Sequence, residues 1–279
     1  MSAESKIVLG TVQFGLQYGV NSAGRPDEPS VREILSEALR GGITTLDTSS
    51  AYGDAEAVLG RCMPPDRPFR IVSKYPKGET GVGDRFRGTL ARLGVDTLYG
   101  YLLHHFEVYR QDPSVWESFL ALKEAGLVQK VGFSLYNPEE LETILGRGDR
   151  FDLLQVPFNL FDRKFLPYME ELHRRGVEIH VRSTFLQGLF FMDRDALPEK
   201  LRPLRKYLLA LDDYARQTGL DIAQLALNYN LQQPCIDGVL IGVDNVAQLK
   251  ANLAAVADVP VSLDLDIREQ ELLNPVNWK

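Results

Sequence analysis

The sequence predicts an α/β protein built as a closed (β/α)8 TIM barrel, a single domain over residues 1–279. Short β-branched or apolar runs alternate with longer amphipathic stretches along the whole chain, and eight such pairs can be counted. No Pro/Ser/Gly-rich linker or low-complexity tract divides the chain. Although 279 residues would allow two average domains, barrels of this kind run to about 250 residues or more as one unit. Eight strand–helix units with right-handed crossovers are the arithmetic of a closed barrel rather than an open sheet.

The first strand is expected at residues 6–11, where Ile7-Val8-Leu9 is a continuous apolar run, and the first helix at 30–40, opening on Ser30 and closing on Gly41-Gly42. A strand at 43–47 and a helix at 56–62 follow, then a strand at 70–74 and a helix at 82–93 that stops at Gly94. The fourth unit pairs a strand at 100–104 with a helix at 114–125 before Gly126, and the fifth a strand at 128–134 with a helix at 138–145 opening on Pro138. The sixth pairs 153–156 with a helix at 166–175 before Gly176. After a seventh strand at 178–182 comes a longer helical insert at 203–231 containing Gly219, and the eighth unit pairs 238–241 with a helix at 246–257. Glycine after a helix suits the left-handed backbone of a C-cap.

Composition narrows the function. With 31 Lys+Arg against 38 Asp+Glu the net charge is −7, and the richest basic stretch, residues 61–92, is interrupted by acids, which argues against a nucleic-acid partner. Cys62 and Cys235 are too few for a disulfide framework and lack a CxxC or Cys/His spacing, so buried thiols are expected and no metal. The amino terminus lacks a basic segment followed by a long apolar one, and nowhere do 18 apolar residues run uninterrupted, so a cytoplasmic protein without membrane association is expected. Neither GxGxxG nor GxxxxGK[ST] follows the first strand, so a bound dinucleotide must be held another way.

Active sites of such barrels lie at the carboxyl ends of the strands. Those ends carry Thr11, Asp47, Lys74, His104 with His105, Ser134, Gln155, Arg182 with Ser183, and Gly242. Any one of these is more often a solvated strand end, but together they bring an acid, an amine, an imidazole, an amide and a guanidinium to one mouth. Tyr52 stands in the loop beyond Asp47, near the amine of Lys74. A neighbouring ammonium favours a phenolate, so Tyr52 is expected to exchange a proton near neutral pH, while a neutral His104 orients a carbonyl oxygen. This is the equipment for carbonyl reduction.

Leu46-Asp47-Thr48-Ser49-Ser50-Ala51-Tyr52-Gly53-Asp54-Ala55-Glu56 resembles the signature of the aldo-keto reductase family. Ile71-Val72-Ser73-Lys74, Tyr101-Leu102-Leu103-His104 and Val131-Gly132-Phe133-Ser134 resemble its lysine, histidine and fifth-strand motifs, and residues 154–160, 240–242 and 248–252 its cofactor segments. The resemblance spans nearly the whole chain. It implies NADPH or NADH bound in extended form and a tetrad of Asp47, Tyr52, Lys74 and His104, with Tyr52 as general acid toward a small-molecule aldehyde or ketone. It places Thr11, Ser134, Gln155, Arg182, Ser183, Phe185, Gln187, Gly188, Gly242, Val243, Asp244, Gln248 and Asn252 at the cofactor, and Phe14 and His105 at the substrate. His105 falls where the family often has tryptophan, implying a wetter pocket suited to sugar-like carbonyls.

The sequence departs from the family pattern in three places at the cofactor. Arg182 replaces a tyrosine that commonly stacks on the nicotinamide. Stacked there, its charge would favour the neutral reduced ring over the cationic oxidised one; otherwise it grips a substrate carboxylate or phosphate, or pairs with a rim acid. Leu135 replaces an asparagine, leaving Ser134 and Gln155 to hold the carboxamide. Asp244 and Gln248 stand where residues that bind a 2′-phosphate are usual, which leans the expectation to NADH, with Lys250 as an alternative cation. The chain enters its first strand without a hairpin for the barrel bottom, so another element must cover it, and Trp278 is expected either on the barrel or at the pocket mouth. The rival reading is an NAD(H)-binding redox-sensing regulator with a protein partner. Retention of all four tetrad residue types argues against it, because a sensor needs no proton donor.

Overall fold

The computed structural model describes residues 6–19, 24–78, 81–265 and 267–278. Eight parallel strands close a barrel in chain order: β1 (Ile7–Gly10), β2 (Thr45–Asp47), β3 (Arg70–Tyr75), β4 (Leu98–Leu103), β5 (Val128–Ser134), β6 (Leu153–Pro157), β7 (Glu178–Arg182) and β8 (Gly238–Gly242). Closure is made by β8 pairing with β1, Ile7 opposite Val239 through Gly10 opposite Gly242. All eight expected strands are present, with ends displaced by at most two residues and β5 and β7 as expected at both ends.

The expected helices are present as α2 (Glu28–Arg40), α3 (Ala55–Cys62), α4 (Val82–Leu93), α6 (Val115–Glu124), α7 (Pro138–Arg147), α8 (Leu166–Arg174) and α11 (Val246–Ala254). Two further short helices, α1 (Val12–Gly15) and α5 (Phe106–Gln111), are too short for a periodic apolar pattern in sequence. The long insert is two helices, α9 (Arg205–Thr218) and α10 (Ile222–Leu231), separated by Gly219 in left-handed conformation and a new start capped by Asp221. Their caps are local and legible: Asp27 accepts from the Ser30 amide, Asn137 and Glu140 form a reciprocal capping box, and Asn245 accepts from the Gln248 amide.

Apolar side chains on the outer face of the sheet pack under the helices in one continuous core. A separate small cluster, Val72, Leu102 and Leu153, fills the barrel interior. Because side chains alternate along a strand, Val72 and Lys74, Leu102 and His104, and Leu153 and Gln155 share the inward face, with the polar member nearer the carboxyl end. Below them the barrel bottom is closed by a polar knot. Glu178 accepts hydrogen bonds from Tyr99 Oη at 2.6 Å and from Lys130, and His180 Nε2 lies 2.6 Å from its other oxygen. The Arg70 guanidinium lies 4.8 Å above the Tyr99 ring. This knot lies at the end of the barrel opposite the polar strand ends.

Trp278 is half-buried against the outer core, with its indole N–H on Leu272 O at 2.7 Å, and does not line the pocket mouth. Cys62 and Cys235 are buried free thiols. The basic stretch does not form one face: Arg61 pairs with Glu28, Lys74 with Asp47, Arg87 with Asp84 and Arg92 with buried Glu56. No helix among the described residues is long and apolar enough to cross a membrane.

Candidate active site

Asp47 ends β2, Lys74 lies near the end of β3 and His104 follows β4, so backbone register alone brings them to one rim. Lys74 is fully buried and donates to Asp47 Oδ1 at 2.5 Å, Thr48 O at 2.9 Å and Tyr52 Oη at 3.4 Å. The other Asp47 oxygen accepts from Gln155 Nε2 at 2.7 Å, and Thr11 Oγ1 donates to the Asp47 carbonyl at 3.0 Å. The Tyr52 ring meets His104 edge-on, with centroids 5.7 Å apart.

Tyr52 is held by two glycines. α1 docks against the Tyr52 loop so closely that a Cβ on Gly15 would lie 1.8 Å from the Tyr52 carbonyl oxygen. Gly53 completes the contact at φ 56°, where a Cβ would approach the Gly15 oxygen to 2.5 Å.

The electrostatics correct one expectation. Burial and the Asp47 charge push the Tyr52 phenol well above its ordinary range, opposed by Arg182. Lys74 does not create a phenolate, because burial lowers its own pKa and its ammonium is directed chiefly at Asp47. Tyr52 therefore rests as a protonated donor. Burial and the neighbouring Lys74 charge hold His104 well below its usual range, so it is a neutral imidazole at neutral pH. Its Nδ1 lies 3.1 Å from the hydroxyl of Ser49, which also accepts from the Ala51 amide at 3.1 Å. The hydroxyl still has a proton that it can donate to Nδ1, an arrangement that would leave the ring proton of a neutral His104 on Nε2. Ser49 was not singled out from the sequence; its place two residues after Asp47 was the available signal.

A cavity of about 730 Å³ opens above these residues and extends to the start of α11. Its wall includes Thr11, Asp47, Tyr52, His104, His105, Ser134, Gln155, Arg182, Ser183, Phe185, Gln187, Gly188, Gly242, Asp244, Gln248 and Asn252, all expected there from the sequence. Lys74 lies buried just outside this wall. Two expectations are corrected. Phe14 is fully buried because α1 turns it into the core, and Leu16 and Tyr18 line the cavity instead. The Val243 side chain is 1% exposed and packs in the core, so at most its backbone faces a ligand. Tyr136, Gln13 and Thr184 also line the cavity and were not foreseen.

The model of the Aldo/keto reductase family matches residues 6–264. The chain belongs to the aldo/keto reductase family. Members are oxidoreductases of carbonyl compounds that use NADPH or NADH. The chain is 28% identical to the L-galactose dehydrogenase of Arabidopsis thaliana, over 96% of this chain and 89% of that one. It is 24% identical to the oxidoreductase YqkF of Bacillus subtilis, over 80% of each. Its fold superposes on a holo-form aldo-keto reductase of Bacillus halodurans with a TM-score of 0.71 at 23% identity, covering 96% of this chain and 90% of the other.

At the far end of the cavity, Gln248 turns back so that its Oε1 accepts from the Asp244 amide at 2.7 Å. Lys250 is exposed and directed toward Glu37 at 3.9 Å, away from the cavity wall. Two loops meet across the mouth: Gln187 Nε2 donates to Tyr18 Oη at 2.7 Å. The β7 loop that makes this bridge holds Ser183, Leu186 and Gln187 at φ 65°, 46° and 53°, a left-handed run signalled in sequence only by the adjacent Gly188. Residues 20–23 of the loop spanning 14–29 lie outside the described residues.

Proposed function

We propose that this protein reduces an aldehyde or ketone to an alcohol with a reduced nicotinamide dinucleotide, Tyr52 acting as general acid. The observation that carries this reading is the convergence of Tyr52, Lys74, Asp47 and His104 on one cavity wall or directly behind it. The cavity fits an extended dinucleotide. It runs from the tetrad to the N-terminus of the nine-residue α11, a favourable place for a phosphate, and the buried Oε1 of Gln13 on its wall has no protein partner. Ser134, Gln155 and Ser183 would hold the nicotinamide end, and Phe185, Gln187, Gly188, Gly242, Asp244, Gln248 and Asn252 the remainder.

When bound, the cofactor supplies the hydride. His104 offers its Nε2–H to the substrate oxygen, and Tyr52 delivers its phenolic proton to the same atom as negative charge grows there. Lys74 stabilises the phenolate left behind, and Asp47, held by Gln155 and Lys74, keeps the ammonium in place. His105 is half-buried and stacked on His104 at 4.7 Å, which makes the substrate side polar. That polarity, with the relative named for L-galactose, supports a sugar-like or otherwise polar carbonyl. Asp244 at the adenosine end supports NADH over NADPH, because a carboxylate repels a 2′-phosphate and accepts from free ribose hydroxyls.

Tyr52→Phe tests the assignment. Turnover should fall by roughly 100-fold or more, the usual worth of a positioned general acid, while reduced-cofactor affinity measured by fluorescence stays within a factor of about three. Retained turnover removes Tyr52 from the role. Of the six exposed large apolar residues among those described, Leu16, Tyr18 and Phe191 line the cavity, and Leu120, Leu127 and Leu209 lie outside it.

A further inference from the structure

Arg182 ends β7, and its guanidinium has one face against the Tyr136 ring, 4.0 Å from the centroid. One N–H donates to Leu135 O at 2.9 Å, which fixes the plane of the group. The acid partner expected as one alternative is absent among the described residues. Asp47 is taken by Lys74 and Gln155, and Asp162, which feels the Arg182 charge without an ion pair to it, lies 3.3 Å from Lys164. The catalytic end of the cavity therefore has an unbalanced charge. Lys74 and Asp47 cancel, burial disfavours the charged forms of His104 and His105, and Arg182 alone keeps a positive charge toward the space beside Tyr52. That charge is felt at Tyr52, Lys74 and His104.

A half-buried guanidinium without a counter-ion has lost hydration and gains most from an anion arriving in its plane. Tyr136 serves as the platform. We infer that Arg182 determines specificity for carbonyl substrates that carry a carboxylate or phosphate, and that its guanidinium grips that group while the carbonyl lies at Tyr52 and His104. The inference rests on the carbonyl-reductase reading and narrows it to anionic substrates.

The test compares matched pairs: 4-oxobutanoate against butanal, and glyceraldehyde 3-phosphate against glyceraldehyde, in wild type, Arg182→Lys and Arg182→Met. In wild type the anion should be preferred in kcat/KM by roughly 10- to 100-fold, the worth of a charge-assisted hydrogen-bonded pair. Arg182→Met should bring that ratio to within about threefold and Arg182→Lys should keep part of it. Preference in the first pair alone identifies a carboxylate, and in the second alone a phosphate. Calorimetry of the product anions, 4-hydroxybutanoate and glycerol 3-phosphate, gives a readout without turnover. Binding to wild type that is lost in Arg182→Met upholds the inference. Equal treatment of charged and neutral carbonyls, or anion binding unchanged in Arg182→Met, overturns it and leaves the reductase standing. Failure of every carbonyl together with failure of NADH and NADPH to bind overturns the reductase reading and this inference with it.

Discussion

Gly15→Ala should disable the site without touching any group that does chemistry. Gly15 lies in α1 without a positive φ, so alanine brings no backbone strain and the effect is steric. The new methyl would sit 1.8 Å from Tyr52 O, 2.6 Å from Ala55 N and 2.9 Å from Tyr52 C, whereas ordinary contact begins at 3.4 Å. The Tyr52 loop or α1 must therefore retreat by roughly 1.6 Å, the difference between 3.4 and 1.8 Å. A misplacement of about 1 Å in a reacting group costs on the order of 100-fold in rate, so kcat should fall at least that far. Overpacking of this kind costs about 1–3 kcal/mol, and in a chain of this size each kcal/mol lowers Tm by roughly 2–4 °C. The assay is carbonyl-dependent oxidation of the reduced cofactor at saturation, beside a thermal melt. Gly146→Ala is the control, because Gly146 lies within α7 with nothing within 4 Å of its would-be Cβ. A Gly15→Ala enzyme with wild-type kcat and Tm would refute the claim that this contact positions Tyr52.

Ser49→Ala should leave the buried Nδ1 of His104 without its partner and lower kcat by roughly tenfold; nitrogen NMR of the wild-type ring should show the proton on Nε2, and a proton found on Nδ1 contradicts the assignment. Because burial and Lys74 keep the folded His104 pKa well below 6.5, its neutral form persists as pH falls through that value, so the kcat profile should show no acid limb from His104 at pH 6–7. Burial raises the Glu178 pKa, but His180, Lys130 and Tyr99 outweigh it and bring it down to about 2. This depressed carboxyl contributes stability fully above its ordinary value of 4.5 and loses it as pH falls toward about 2, so acid melts of Glu178→Gln and wild type should converge in that window. A constant difference across the range would show that the knot acts by shape rather than charge.

Much of the molecule was legible because its determinants are local. Short apolar or β-branched runs placed eight strands and capping residues the helices between them, and polar residues at strand ends placed Asp47, Lys74 and His104 together, since closure of the barrel converts sequence position into a common rim. What escaped depends on side-chain direction. α1 is only four residues long, too short for a periodic signal, yet its rotation decides that Phe14 enters the core while Leu16 and Tyr18 reach the cavity. The protonated state of Tyr52 follows from burial and from the aim of the Lys74 ammonium at Asp47, neither of which sequence proximity supplies. The platform under Arg182 comes from Tyr136, on another strand's loop and 46 positions away in sequence.

Pairing of β8 with β1 leaves every strand with neighbours on both sides. An open sheet offers a row of unsatisfied amide and carbonyl groups at each margin, on which foreign chains can template. In this chain such a margin arises only if the ring itself parts, and the junction of β7 and β8 has just two registered residue pairs, His180 with Gly238 and Val181 with Val239. A parting at this junction would expose two such margins at once, one on β7 and one on β8.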